Sequence, residues 1–102
     1  MRIEPTDADL DRIKEWAHDD VHGLLDFIHG RWWAPEWGWV EYDGKEDGEP
    51  MRVIHCSTGG MSDNEALMTA LRENFIAYHQ CFESYRRGGH YHLALPARKE
   101  AK

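Results

Sequence analysis

A chain of 102 residues and 11.9 kDa has room for one hydrophobic core, not two. Its 41% apolar and 30% charged residues match a folded soluble domain and exclude a disordered chain, and no run approaches the roughly 18 apolar residues of a membrane helix. The net charge of -7 is uneven: residues 1–50 carry 14 Asp and Glu against 5 Lys and Arg, whereas residues 51–102 carry 5 against 7. An acidic half argues against direct DNA binding, which needs a cationic footprint, and suits a basic protein surface or simple solubility. Met1, Arg2, Ile3, Glu4 and Pro5 hold no apolar signal stretch, so the expected compartment is a reducing cytoplasm with Cys56 and Cys81 as free thiols.

In chain order, the pattern begins with an acidic helical region, residues 1–30. Thr6 with Asp9 three residues on is a capping box, and Leu10, Ile13, Trp16 and Ala17 continue at helical spacing, which predicts a helix over residues 7–18. A second helix or kinked continuation is predicted over residues 20–29, interrupted by Gly23 and closed by Gly30. Four Trp follow within eight residues (Trp32, Trp33, Trp37 and Trp39), around a Pro35 that forbids a helix interior. They read as a lid over the core or as a stacking platform. Residues 37–43 and 51–57 read as strands joined by a polar turn at residues 44–50, an antiparallel hairpin.

Ser62 and Glu65 make a second capping box. Leu67, Leu71, Phe75, Tyr78, Phe82 and Tyr85 then form a stripe that predicts one long helix over residues 63–86, its first five members buried. Gly88 is a terminator, and residues 90–95 alternate as a half-buried strand with His90 and His92 on one face. The expected fold is α+β: N-terminal helices, a hairpin, a long central helix and a final strand. Its small three-stranded sheet carries helices on one face, with the strands at residues 51–57 and 90–95 parallel across the helix. The whole is one domain, with a motif-bearing core at residues 31–95 and a charged tail at residues 96–102.

Two runs carry candidate chemistry. Ser57, Thr58, Gly59 and Gly60 sit between a strand and a helix start, where exposed N–H groups and the helix dipole favour an anion; Asn64 could donate to the same ligand. No Walker or G-x-G-x-x-G pattern accompanies them. Arg86, Arg87, Gly88, Gly89, His90 and Tyr91 offer guanidinium, imidazole and phenol groups suited to phosphate or carboxylate. The alternative readings are a tight turn for the first run and dipole-complementing arginines for the second. His18 with His22, and His90 with His92, have chelate spacing but no third ligand, so neither a metal nor a cofactor is expected. A straight helix over residues 63–86 is about 36 Å long and would hold the two runs apart. Either the helix breaks midway, near Asn74, or the runs serve separately, or a homodimer joins them, and the homodimer is the expectation.

The run Ser-Thr-Gly-Gly-x-Ser-x-Asn-Glu at residues 57–65 and the run Arg-Arg-Gly-Gly-His-Tyr at residues 86–91 resemble a group of small uncharacterised proteins encoded by tailed phages and prophages. Ala34, Pro35, Glu36, Trp37 and Gly38 also fit, and the likeness covers about residues 31–95. Met61 stands where the group often has an aromatic. The resemblance implies a phage accessory protein acting in a bacterial cytoplasm, and small phage accessory proteins as a class often counter host defences. Together with the residues, it yields the leading expectation: a non-enzymatic protein that binds an anionic small molecule such as a nucleotide signal, through Ser57, Thr58, Gly59, Gly60, Asn64, Arg86, Arg87, His90 and Tyr91. The first alternative is an acidic inhibitor that docks on a host defence complex, of anti-CRISPR or anti-restriction type. The second is a metal-independent phosphodiesterase with His90 and Glu65 as acid and base.

Overall fold

The computed structural model describes residues 5–98; most of the expected charged tail, residues 99–102, lies outside the described part, as do residues 1–4. The elements are α1 (Asp7–Lys14), α2 (Val21–Arg31), a four-residue α3 (Pro35–Gly38), β1 (Trp39–Glu46), β2 (Glu49–Ser57), α4 (Ser62–Glu73), α5 (Phe75–Cys81), β3 (Phe82–Arg86) and β4 (His90–Pro96). The class is α+β, as the patterns imply.

Local chemistry sets the helix boundaries. The Thr6 hydroxyl accepts the Asp9 N–H at 3.0 Å and the Asp9 carboxylate accepts the Thr6 N–H at 3.1 Å, so the first capping box forms as expected. α1 ends at Lys14, short of residue 18. The chain then turns into Asp20, whose carboxylate accepts from Trp16 Nε1 at 3.0 Å and from the Gly23 N–H at 3.3 Å. Asp20 thereby caps α2, and Gly23 is the residue that leaves it space: a Cβ there would lie 2.2 Å from its Oδ2. In the hairpin, Asp47 and Gly48 have φ of 49° and 84°. Two left-handed residues match the twist of the flanking strands, so the turn is two residues long and the strands extend through most of the expected loop.

The sheet has four strands rather than three, in the order β1-β2-β4-β3, with every neighbouring pair antiparallel. The strands at residues 51–57 and 90–95 are therefore not parallel. The cause is that the long helix does not exist. Asn74 leaves the helical region (φ -87°, ψ 76°) and ends α4. Its side-chain oxygen accepts the Ala77 N–H to start α5, and its amide donates to the carbonyls of Ile13 at 2.9 Å and Trp16 at 3.1 Å. α5 stops at Cys81, and the end of the apolar stripe becomes β3. After a turn at Arg87, Gly88 and Gly89, β4 inserts between β2 and β3. The crossover through α4 and α5 thus joins β2 to β3, which run parallel with β4 between them.

The helices cover one face of this sheet. Ile13, Leu24, Leu25, Ile28, Leu67 and Leu71 are fully buried against Ile54, Cys56, Leu93 and Leu95. The break at Asn74 shifts the phase of the stripe. Ala77 and Cys81 take the inward positions, Tyr78 and Phe82 are half-buried, and Phe75 is 64% exposed instead of buried. Of the Trp cluster, Trp32 and Trp39 pack edge-on with ring centroids 5.2 Å apart inside the core, while Trp37 stays exposed. No helix among the described residues is long and apolar enough to cross a membrane.

Candidate functional site

The two glycine-containing runs meet within one protomer. β2 and β4 pair so that Ser57 stands opposite His90, and the Thr58 N–H donates to the Gly89 carbonyl at 3.0 Å. Gly89 is buried with φ of 84°, and a Cβ on it would lie 2.1 Å from Thr58 Oγ1 and 3.2 Å from Glu65 Oε2. The expected separation of about 36 Å rested on a straight helix. With that helix broken and its last turns extended as β3, no second copy is needed to unite the runs.

The junction sorts the candidate residues into a frame and a lining. Thr58 is buried and its hydroxyl donates to the Glu65 carboxylate. Its carbonyl accepts the Met61 N–H at 3.1 Å and Asn64 Nδ2 at 3.3 Å. Asn64, also buried, straps the Trp33 backbone, accepting its N–H at 2.8 Å and donating to its carbonyl at 3.1 Å. Gly59 and Gly60 are left-handed (φ 64° and 73°), and a Cβ on Gly59 would strike the Trp37 ring at 2.6 Å. Thr58, Gly59, Gly60 and Asn64 thus form a closed turn under Trp37.

The expected capping box at Ser62 and Glu65 does not form. Met61 is the N-cap without a side-chain bond, and Glu65 serves Thr58 instead, because a buried hydroxyl needs an acceptor. Asp63 and Glu65 already place negative charge in the first turn of α4, where an anion would otherwise profit from the dipole.

Tyr91 also belongs largely to the frame. Its hydroxyl accepts from Arg72 Nη1, and its ring tilts against Tyr85 at 4.8 Å. The Tyr85 hydroxyl in turn accepts the Gly89 N–H at 3.3 Å. Burial raises the Tyr91 phenol above its usual range, partly offset by the Arg72 charge.

The lining lies on the other side, on the sheet face that no helix among the described residues covers. A groove of about 330 Å³ is walled by His55, Ser57, Ser84, Arg86, His90 and His92 over Cys56 and Tyr91, within the ordinary size of small-molecule sites, about 300–1,000 Å³. The pairing arranges these side chains in two cross-strand rows. One row is Ser57, His90 and Arg86, with Ser57 Oγ and His90 Nδ1 hydrogen-bonded at 2.8 Å. The other is His55, His92 and Ser84, with the His55 and His92 rings stacked at 4.4 Å between centroids. Tyr42 extends that stack toward the edge strand, its ring 5.9 Å from His55 and its hydroxyl 3.4 Å from His55 Nε2. Burial, then the neighbouring His92 charge, pushes the His55 imidazole below its usual pKa.

Of the residues singled out in the sequence, Ser57, Arg86 and His90 face this groove together. Arg87 is exposed at the turn outside its lining, and Glu65, engaged by Thr58 on the framed side, does not line this groove with His90. His55 and Ser84 are groove residues that the sequence reading missed, and His92 entered it only as the face-mate of His90. Their signal is period-two alternation on β2 and β4, where each imidazole sits between buried neighbours and therefore points to the opposite face. His22 is held by the Pro96 carbonyl at 2.9 Å and Arg52 at 3.2 Å, and among the described residues no three His, Cys, Asp or Glu side chains converge as a metal site. No family model, curated protein or solved structure matches the chain.

Proposed function

We propose that this protein is a non-enzymatic binder of an anionic small molecule of the nucleotide class, anchored through its phosphate by Ser57, His90 and Arg86. The observation that carries the reading is the row these three make across adjacent strands, on an open face, beside a groove of small-molecule size. A guanidinium, an imidazole and a hydroxyl supply charge-assisted and neutral donors to phosphate oxygens. Arg86 has no ion-pair partner among the described residues and lines the groove. The biological use would be that of a phage accessory protein: sequestering a defence signal in the host cytoplasm without cleaving it.

The acidic-inhibitor alternative receives less support. Asp26 is bound by Arg52 at 2.8 Å and Arg98 at 2.7 Å, and Glu41 by Arg52 at 2.9 Å; Asp9 is bound by Arg31 at 3.2 Å, and Asp20 caps α2. Four of the 14 acidic side chains in residues 1–50 are thus neutralised or structural. The phosphodiesterase alternative lacks its pair, since Glu65 is engaged by Thr58 away from the groove.

Native mass spectrometry of protein taken from expressing cells, with Arg86→Ala beside the parent, tests the proposal. A retained phosphate-bearing ligand on the parent, reduced tenfold or more in the variant, is the expected result. Retention that ignores Arg86→Ala would remove the anchor from the proposal.

A further inference from the structure

The second row of the groove specifies what the anchored molecule carries. Neighbouring strands lie about 4.8 Å apart, and side chains in one cross-strand row repeat at that spacing. On β2 and β4 the row is filled by two flat rings, His55 and His92, stacked at 4.4 Å and 20° apart in plane. On β3, the residue in register with His92 is Ser84, too short to continue the stack. The outer face of His92 therefore looks across Ser84 into the groove, and both side chains line it. Ring faces at stacking distance are the feature by which proteins hold nucleobases without reading their edges.

The anion row, Ser57, His90 and Arg86, lies two residues along the strands from the stacking row, about 7 Å at strand rise. That matches the short reach from a base across one sugar to its phosphate. Resting on the phosphate-anchor reading above, we infer that the groove takes a free nucleoside monophosphate, its base stacked on His92 over Ser84 and its phosphate on Arg86, His90 and Ser57. The free molecule is favoured over a nucleic-acid strand because the chain carries a net charge of -7, and polyanion binding draws on an extended cationic surface.

Isothermal titration calorimetry with four probes separates the parts: inorganic phosphate, ribose 5-phosphate, adenosine 5′-monophosphate and a short single-stranded oligonucleotide. The expected order places adenosine monophosphate about tenfold or more tighter than ribose 5-phosphate, as base stacking supplies. His92→Ala should erase that margin while leaving ribose 5-phosphate binding within twofold. Arg86→Ala should weaken both sugar phosphates alike. Ser84→Phe, which fills the slot from β3, should abolish the margin without loss of the circular-dichroism signature of the fold. Equal affinity for adenosine monophosphate and ribose 5-phosphate overturns the base slot and leaves the anion anchor standing. Failure of every phosphate probe overturns the anchor as well. An oligonucleotide that binds more tightly than the mononucleotide overturns the choice of a free ligand.

Discussion

Asn74 sits where the long apolar stripe breaks into two helices. Buried, it ends one helix, starts the next and holds two carbonyls of the α1 region. Asn74→Ala removes a cap and strands those carbonyls, so a loss of about 2 kcal/mol or more is expected in urea melts. Phe75 next to it should behave as a surface residue, with Phe75→Ala changing stability by less than ~0.5 kcal/mol. Leu71→Ala, in the fully buried part of the same stripe, should cost ~2–5 kcal/mol through its cavity. The stripe was legible as hydrophobic periodicity, and a break near Asn74 was legible only as one of several ways to bring the two runs together. An Asn in mid-pattern is tolerated often enough that only its tertiary acceptors, from residues 13 and 16, decide the outcome. The two cysteines were legible as free thiols, and the fold buries both. Burial pushes both up to about 12, so neither is a thiolate at neutral pH. A thiol reagent should label no cysteine in the native protein and both after denaturation.

At the scale of elements, the site forms where the β3–β4 hairpin docks on β2. The β3–β4 turn seats Gly89 against Thr58, and the tolerance of the glycines should differ accordingly. Gly60→Ala meets open space and suffers only left-handed strain, ~1–2 kcal/mol. Gly89→Ala adds collision with Thr58 at a left-handed φ. It should destabilise by clearly more in the same melts, and equal losses would show that the junction can relax. Ser57, His90 and Arg86 could be picked out from motif chemistry because hydroxyl, imidazole and guanidinium groups flank glycines. His55, His92 and Ser84 could not, because their relation is one of register. Which strand neighbours which depends on where the helix ended, and that depended on Asn74.

Across the whole molecule, charge couples stability to pH in two windows. The His55 imidazole is depressed in the fold by burial and by His92. The unfolded chain therefore binds the proton first, and stability should be full above about pH 6.5 and fall as pH drops through the folded value. His55→Gln should flatten that limb of the pH profile. The carboxyls of Asp26 and Glu41 are raised by burial, but Arg98 and Arg52 outweigh it and hold both below their usual values. Their contribution is present above the unfolded carboxyl range and is lost as pH falls through the folded one. A profile flat from pH 8 to pH 4 would contradict the first window. The lopsided charge was plain from composition; its neutralisation around Arg52 was not, because Arg52, Asp26 and Glu41 come from three separate elements.

The strand order also dictates a sequence of events in time. β4 is the last strand in chain order, yet it lies inside the sheet between β2 and β3. During synthesis, β2 and β3 emerge first with no partner between them, and neither can pair across the gap of a missing strand. The central ladder closes only when residues 90–96 arrive, so the hydrophobic face of the sheet stays uncovered until late. Such topologies defer their non-local contacts and fold slowly. The same residues complete the groove, since His90 and His92 belong to β4. A nascent chain should therefore complete the candidate groove and its cooperative fold in one step, and on the reading proposed above a bound molecule would capture the strand as it docks.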